Sequence, residues 1–236
     1  MPTRLIPYVK VLVHLLCLTP LALLLLRFKH DDLGADPVQT ITHFTGNWAL
    51  YLLLISLAVT PVRRLHTKLS NLIRFRRMLG LYAFFYATLH LATYVFLFSG
   101  YDLPTALAGL KAGHPGELVT QFKLVWPTMW DDILKRRFVQ IGFAAWVILL
   151  ALAITSPQFM LRAMGGKNWQ RLHRLVYIAA IFAVIHFWWL VKAGVREPWK
   201  DTLALALLFL ARLVYIAIKR RSKAQATKVG TTTQPA

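Results

Sequence analysis

The chain has 236 residues, 57% of them hydrophobic, and carries a formal net charge of +19. A soluble domain of this length could not bury so much apolar material around one core, which excludes a soluble globular protein. The single cysteine excludes disulfides and cysteine-rich zinc or iron–sulfur sites within the chain.

Six apolar segments follow one another along the chain, each about long enough to cross a hydrocarbon core of about 30 Å. They predict an all-α fold, a polytopic membrane helix bundle that forms a single domain over residues 1–222. The polar residues 223–236 are predicted to be a disordered tail. The six spans are predicted at residues 7–26, 44–62, 78–98, 138–156, 175–191 and 203–218.

Lysine and arginine are distributed unevenly between the alternate connections of this bundle. The N-terminus, the second and fourth connections and the tail together hold 17 of the 28 Lys and Arg residues, whereas all nine Asp and Glu residues lie on the other side. Cytoplasmic loops carry the excess of positive charge, so both termini are predicted to be cytoplasmic. The net charge then marks topology and contact with anionic lipid, and not a nucleic-acid site.

The connection between the third and fourth spans, Ser99–Arg137, is the longest. Glycine and proline residues interrupt it, so it is not predicted to be a further span. Trp126 and Trp130 indicate that part of it lies on the outer membrane surface. Contact with a partner protein and contact with lipid alone are both compatible with this pattern.

Two histidines lie inside predicted spans at matched depths. His90 is 13 residues beyond Arg77, and His186 is 13 residues beyond His173. Both helices run in the same direction, so at a rise of 1.5 Å per residue each ring lies about 20 Å from the basic edge of its helix. Two imidazoles facing each other at one depth are what a six-coordinate haem iron requires. A single intramembrane histidine is more often an interhelical hydrogen-bond partner, but the matched depths favour axial haem ligands.

Two further histidines are weaker candidates. His173 opens the fifth span about 140° around the helix from His186, and no histidine lies at its level on the third helix, where Arg76 and Arg77 are found. The pattern therefore argues against two haems stacked on one face. His43 opens the second span, where an N-terminal helix cap and a cofactor contact are equally compatible with its position.

The arginines of the second connection offer an anion site. Arg76 and Arg77, with Arg74, could bind a phosphate such as that of FMN. The positive charge of cytoplasmic loops explains the same residues, so the charges alone leave both interpretations open.

Short segments spread through nearly the whole chain also carry a family resemblance. They are Leu33-Gly-Ala-Asp-Pro-Val38, His43-Phe-Thr-Gly46, Arg76-Arg-Met-Leu-Gly-Leu81, Ala87-Thr-Leu-His-Leu91, Trp146-Val-Ile-Leu-Leu-Ala-Leu-Ala153, Gln170-Arg-Leu-His173 and Ile185-His186. With these segments the chain resembles the MsrQ (YedZ) family, the haem-binding membrane subunits of the bacterial periplasmic methionine-sulfoxide reductase system, within the ferric-reductase-like transmembrane group.

This resemblance implies a haem b bound by His90 and His186, with His173 as a further haem-associated position. It also implies FMN, an electron supply from the quinone pool or a cytoplasmic flavin reductase, and delivery to a periplasmic molybdopterin-dependent methionine-sulfoxide reductase. The sequence contains no G-x-G-x-x-G fingerprint, so the chain is not expected to bind NAD(P)H through a Rossmann fold of its own.

Three functions are compatible with intramembrane histidines, and the sequence favours the first. An electron-transfer subunit, distinct from the catalytic subunit, needs only the haem ligands. A self-sufficient ferric or quinone reductase needs a nicotinamide-binding domain or a dedicated substrate site, and the first is not found in the sequence. A histidine-relay transporter commonly has carboxylates at mid-membrane, whereas all nine carboxylates here fall outside the predicted spans.

Overall fold

The computed structural model describes residues 6–191 and 198–232. These residues form ten α-helices and no strand, which confirms the predicted all-α class. A 3-10 helix, Thr67–Leu72, precedes α3, and a π-helical turn, Tyr94–Phe98, follows it. The helices are α1 (Ile6–Lys29), α2 (Pro37–Val62), α3 (Ile73–Thr93), α4 (Leu103–Lys111), α5 (Gly116–Lys135), α6 (Arg137–Ile154), α7 (Gln158–Met164), α8 (Gly166–His173), α9 (Val176–Leu190) and α10 (Pro198–Thr232).

Six helical segments within the described residues are long and apolar enough to cross a membrane, which confirms the predicted number of spans. The chain is therefore a multi-pass membrane protein. Which side of the membrane each terminus occupies stays a prediction from the charges. The six segments are Ile6–Lys29, Pro37–Val62, Leu69–Phe98, Arg137–Ile154, Gly166–Leu190 and Pro198–Ser222.

The second span begins earlier than its apolar run. Asp36 is the N-cap of α2, and its side-chain oxygen accepts a hydrogen bond of 2.9 Å from the backbone N–H of Gln39. Pro37 follows at the first helical position, where a missing N–H costs nothing. The helix therefore starts at Pro37, seven residues before the predicted Phe44, because a cap and not hydropathy sets its first residue.

The long connection between the third and fourth spans is helical. Helices α4 and α5 pack on each other around a small core of Tyr101, Ala106, Val125 and Met129. Neither helix is among the six membrane-spanning segments. The glycine and proline residues thus separate and shape two helices that lie outside the spans.

The C-terminal helix reaches into residues 223–236, whose predicted disorder stays a prediction. Helix α10 continues to Thr232, and residues 233–236 lie outside the described part of the chain. Lysine, alanine and glutamine, which recur after Ser222, are good helix formers and extend a helix that the membrane span has already nucleated.

Helix α2 is the most buried of the spans, with half of its apolar window inside the protein. It packs most extensively on α3, while α6 packs most extensively on α9, and α10 contacts both α2 and α9. The bundle therefore contains two main helix pairs, α2 with α3 and α6 with α9. The candidate histidines lie on the second helix of each pair.

Helix α1 is joined to this bundle by a buried tyrosine. The Tyr86 side chain of α3 is 0% exposed, and its hydroxyl donates to the Cys17 carbonyl at 2.8 Å and accepts from the Leu21 N–H at 3.1 Å. Those two backbone groups form one hydrogen-bond pair in a regular helix. Pro20 lies between them and has no N–H to donate to the helical ladder, and the hydroxyl contacts both groups at this turn.

Candidate functional site

The structure brings together the two histidines that the sequence places at one depth. His90 of α3 and His186 of α9 have their ring centroids 6.0 Å apart, with the ring planes at 80° to each other. The two rings belong to different helix pairs, so they meet across the interior of the bundle and not along one helix.

Each ring is held by a backbone carbonyl of the neighbouring helix. The Nδ1 atom of His90 lies 3.0 Å from the carbonyl oxygen of Thr42 in α2, and the Nδ1 atom of His186 lies 2.7 Å from that of Phe138 in α6. A carbonyl oxygen can only accept, so each Nδ1 carries the proton and donates it. In a neutral imidazole the Nε2 atom then has a free lone pair, which is the form that binds a metal.

Glycines allow these rings to lie so close to the neighbouring helices. A Cβ atom added at Gly46 of α2 would be 3.1 Å from both Cε1 and Nδ1 of His90. A Cβ atom added at Gly142 of α6 would be only 2.6 Å from Nδ1 and 2.8 Å from Cε1 of His186. Each imidazole therefore occupies the space that a side chain at the glycine would fill.

The geometry of the pair fits a haem iron with two axial imidazoles. Metal–imidazole bonds are about 2.0–2.1 Å long, and a ring nitrogen lies roughly 1.1 Å from its ring centroid, so two such rings on one metal are separated by about 6.3 Å. The observed 6.0 Å agrees with this separation. Over the described ranges no group of three or more His, Cys, Asp or Glu side chains could hold a bare metal ion. A haem iron needs only two ligands from the protein, because the porphyrin supplies the other four.

The structure does not bring His173 to this pair. Its ring stacks on Trp169, with centroids 3.8 Å apart, and its Nε2 atom lies 3.3 Å from the Thr155 hydroxyl at the end of α6. The Trp169 indole N–H donates to the Thr155 carbonyl at 2.8 Å, which fixes the stacked pair against α6. His173 therefore lies with the basic residues at the end of α8, whereas His186 lies in the following helix, α9.

Arg76 and Arg77 lie near His173. Their positive charges are close enough to interact electrostatically with its ring. The Nε of Arg77 donates to the hydroxyl of Ser156 at 2.8 Å, and the backbone carbonyl of Arg76 accepts from Ser56 at 3.1 Å. The structure thus gathers at one end of the bundle Arg76 and Arg77 of the predicted second connection and His173 at the start of the predicted fifth span.

His43 does not cap a helix. Asp36 provides the cap of α2, so His43 lies in the second turn of the helix, and the capping interpretation is wrong. It directly follows Thr42, whose carbonyl holds His90, and it interacts electrostatically with the His90 ring. A contact between His43 and a cofactor stays a prediction.

Sequence reasoning missed the residues that hold the two rings. These are the carbonyls of Thr42 and Phe138 and the glycines Gly46 and Gly142. A carbonyl has no side-chain signature, and a glycine contributes almost nothing to hydropathy. The available signal was the common spacing of these residues from the two histidines.

The fold agrees with comparisons of the sequence. A family model described as "Ferric reductase like transmembrane component" matches residues 45–184, from α2 to α9. The chain is therefore a ferric-reductase-like transmembrane protein.

Two similar proteins indicate the family to which the chain belongs within this class. The chain is 45% identical to a protein of Xanthomonas axonopodis pv. citri (strain 306), over 96% of this chain and 93% of the relative. It is 40% identical to a protein of Herminiimonas arsenicoxydans, over 91% of this chain and 88% of the relative. Both are named "Protein-methionine-sulfoxide reductase heme-binding subunit MsrQ". The chain belongs to the MsrQ family.

Proposed function

We propose that this chain is a b-type cytochrome subunit, which holds haem b between His90 and His186 and carries electrons through the membrane. The observation that supports this proposal most directly is the pair of neighbouring imidazoles, whose ring centroids are 6.0 Å apart and whose Nδ1 atoms each donate to a backbone carbonyl. The related proteins are named heme-binding subunits, which supports the same cofactor.

The haem supplies one-electron chemistry, since its iron cycles between Fe(III) and Fe(II). The carbonyls of Thr42 and Phe138 keep His90 and His186 in the tautomer whose Nε2 can bind iron. Hydrogen bonding at Nδ1 also raises the basicity of Nε2, which strengthens the bond to a metal. The chain thus orients two neutral ligands and leaves the methionine-sulfoxide chemistry to another subunit.

The direction of electron flow follows from the proposed orientation. With both termini in the cytoplasm, His90 and His186 lie in the periplasmic half of the inner membrane, because each is about 20 Å beyond the basic edge of its helix. That position suits electron transfer to a periplasmic molybdopterin-dependent reductase of protein methionine sulfoxide. The names of the relatives support such a catalytic partner, since they describe subunits of a protein-methionine-sulfoxide reductase.

Electrons must reach this haem from the cytoplasmic half. The quinone pool and a cytoplasmic flavin reductase are the two donors that we propose, and FMN at the cytoplasmic end is the intermediate cofactor that the family resemblance implies. We assign the binding of the FMN phosphate to Arg76 and Arg77, which lie near His173. The clustering of these three residues at one end of the bundle supports this assignment.

The haem proposal is tested on the purified protein in detergent. Oxidised and reduced absorption spectra with pyridine haemochromogen quantitation are expected to show a low-spin b-type haem, and FMN is quantified in the same samples. His90→Ala and His186→Ala are each expected to lose this haem, because each removes one axial ligand.

His14→Ala is the matched control for these variants. His14 is also a histidine of a membrane-spanning helix, but its Nδ1 is bonded to the Tyr82 hydroxyl at 2.8 Å. This variant is expected to keep its full haem content. A wild-type protein without haem, or a His186→Ala protein with an unchanged low-spin spectrum, contradicts the proposed function.

A further inference from the structure

We propose that Gly46 and Gly142 are positioning residues, which set the orientation of His90 and His186 as axial ligands. The inference rests on the proposed haem site. It goes beyond the identity of the ligands, because it assigns the angle between the ring planes and the strength of haem binding to two residues that are not ligands themselves.

The same arrangement of a carbonyl, a glycine and a histidine occurs once in each helix pair. In α2 and α3, a carbonyl at residue n, a glycine at n+4 and a histidine at n+48 come together, and the same three spacings recur in α6 and α9. Adding 96 to residues 42, 46 and 90 gives residues 138, 142 and 186. The two sets are Thr42, Gly46 and His90, and Phe138, Gly142 and His186.

The packing around the histidine-bearing helices follows the same offset. Ala83 lies seven residues before His90, and Ala179 lies seven residues before His186, which places each alanine two turns away on the same helical face. Both alanines are 0% exposed. Each histidine-bearing helix is therefore closely packed two turns before its histidine. This packing supports a fixed position of the imidazole ring against the adjacent glycine.

An added Cβ atom would be crowded more strongly at Gly142 than at Gly46. At Gly142 an added Cβ would come within 2.6 Å of the His186 ring, so the ring would have to move. At Gly46 the closest approach to the His90 ring would be 3.1 Å, which a displacement of a few tenths of an ångström relieves. Such a displacement would lengthen or bend the Nδ1 hydrogen bond and would change the angle between the two ring planes.

A third glycine provides the control. Gly80 lies on α3 itself, and a Cβ there would be 3.5 Å from the Ser56 hydroxyl, an ordinary van der Waals contact. Replacing a glycine by alanine within a helix otherwise favours the helix. Loss of haem binding in a Gly→Ala variant therefore cannot come from helix propensity.

The experiment compares Gly142→Ala, Gly46→Ala and Gly80→Ala with the wild-type protein in detergent. For each protein we measure the amount of monodisperse protein by size exclusion, the haem affinity by titration of the haem-free form, the midpoint potential, and the electron paramagnetic resonance spectrum of the ferric state. The largest g value of that spectrum reports the angle between two axial imidazole planes, which a purely structural role of a glycine would not change.

Gly142→Ala is expected to weaken haem binding about 10-fold to 100-fold, as is typical when a hydrogen-bond partner of a metal-bound histidine is disturbed. Gly46→Ala is expected to keep its haem but to show a changed largest g value and a shifted midpoint potential. Gly80→Ala is expected to match the wild type in all four measurements. If Gly142→Ala yields no folded protein, the test rests on Gly46→Ala. A changed electron paramagnetic resonance spectrum then supports the inference, and an unchanged one contradicts it.

Two results overturn the inference while the haem proposal stands. The first is that both single variants, Gly142→Ala and Gly46→Ala, have the haem affinity, midpoint potential and g values of the wild type. The other is a Gly80→Ala protein that is perturbed as strongly as Gly46→Ala, since the effect would then be general helix packing. A wild-type protein that takes up no haem would instead refute the proposed function, and with it this inference.

Discussion

The hydroxyl of Tyr86 provides a sharp test of how α1 is held to the bundle. Tyr86→Phe removes one oxygen atom that is a donor to the Cys17 carbonyl and an acceptor from the Leu21 N–H. The phenyl ring still fills the same buried space, so the change isolates the two hydrogen bonds. Both backbone groups belong to a membrane-spanning helix, where no bulk water is present to replace the hydroxyl.

The expected cost is about 1–2 kcal/mol in the free energy of unfolding. Interhelical hydrogen bonds in membrane proteins contribute about 0.6 kcal/mol each on average, and leaving a buried group unpaired costs about 1–3 kcal/mol. The two backbone groups can partly re-pair with each other within α1, which keeps the loss toward the lower values. At about 1.4 kcal/mol the ratio of folded to unfolded protein falls by a factor of roughly ten.

The assay is equilibrium unfolding of the purified protein in mixed micelles, with increasing fractions of a denaturing detergent. Tyr82→Phe is the matched control, because Tyr82 also lies on α3 and also bonds to α1, through the Nδ1 atom of His14 at 2.8 Å. That contact is exposed and between side chains, so its loss is expected to cost less than the loss of the Tyr86 hydroxyl. Equal unfolding midpoints for Tyr86→Phe and the wild type would refute the reasoning.

The remaining predictions concern the basic end and the topology. His173→Ala is expected to keep the haem between the paired histidines, because the His173 ring contacts Trp169 and Thr155 and not the pair. It is also expected to slow haem reduction by a cytoplasmic donor. Haem content and stopped-flow reduction rates test the two expectations. Arg77→Ala is expected to lower flavin content with little change in haem, so unchanged flavin would leave this arginine as a topology signal only. Reporter fusions after Ala163 are expected to read cytoplasmic and those near Asp36 periplasmic, and one inverted result would contradict the orientation.

Much of the fold was predictable because its signals are local. A span of about 20 apolar residues identifies itself by composition, and six such segments are found where the hydropathy predicts them. The ends of helices follow different chemistry. The start of α2 at Pro37 depends on the Asp36 cap, and α4 and α5 form in a connection for which the sequence predicted only that it is not a further span.

The sequence by itself determined that His90 and His186 lie at one depth, since a constant rise of 1.5 Å per residue converts equal spacing into equal height. It could not determine what each ring touches. Which faces of the helices meet depends on the packing of all the spans together, and only the tertiary structure brings a carbonyl and a glycine of one helix against a histidine 48 and 44 residues further along the chain. Backbone carbonyls look alike at every position and a glycine is marked by the side chain it lacks, so these partners become visible only when the helices are in contact.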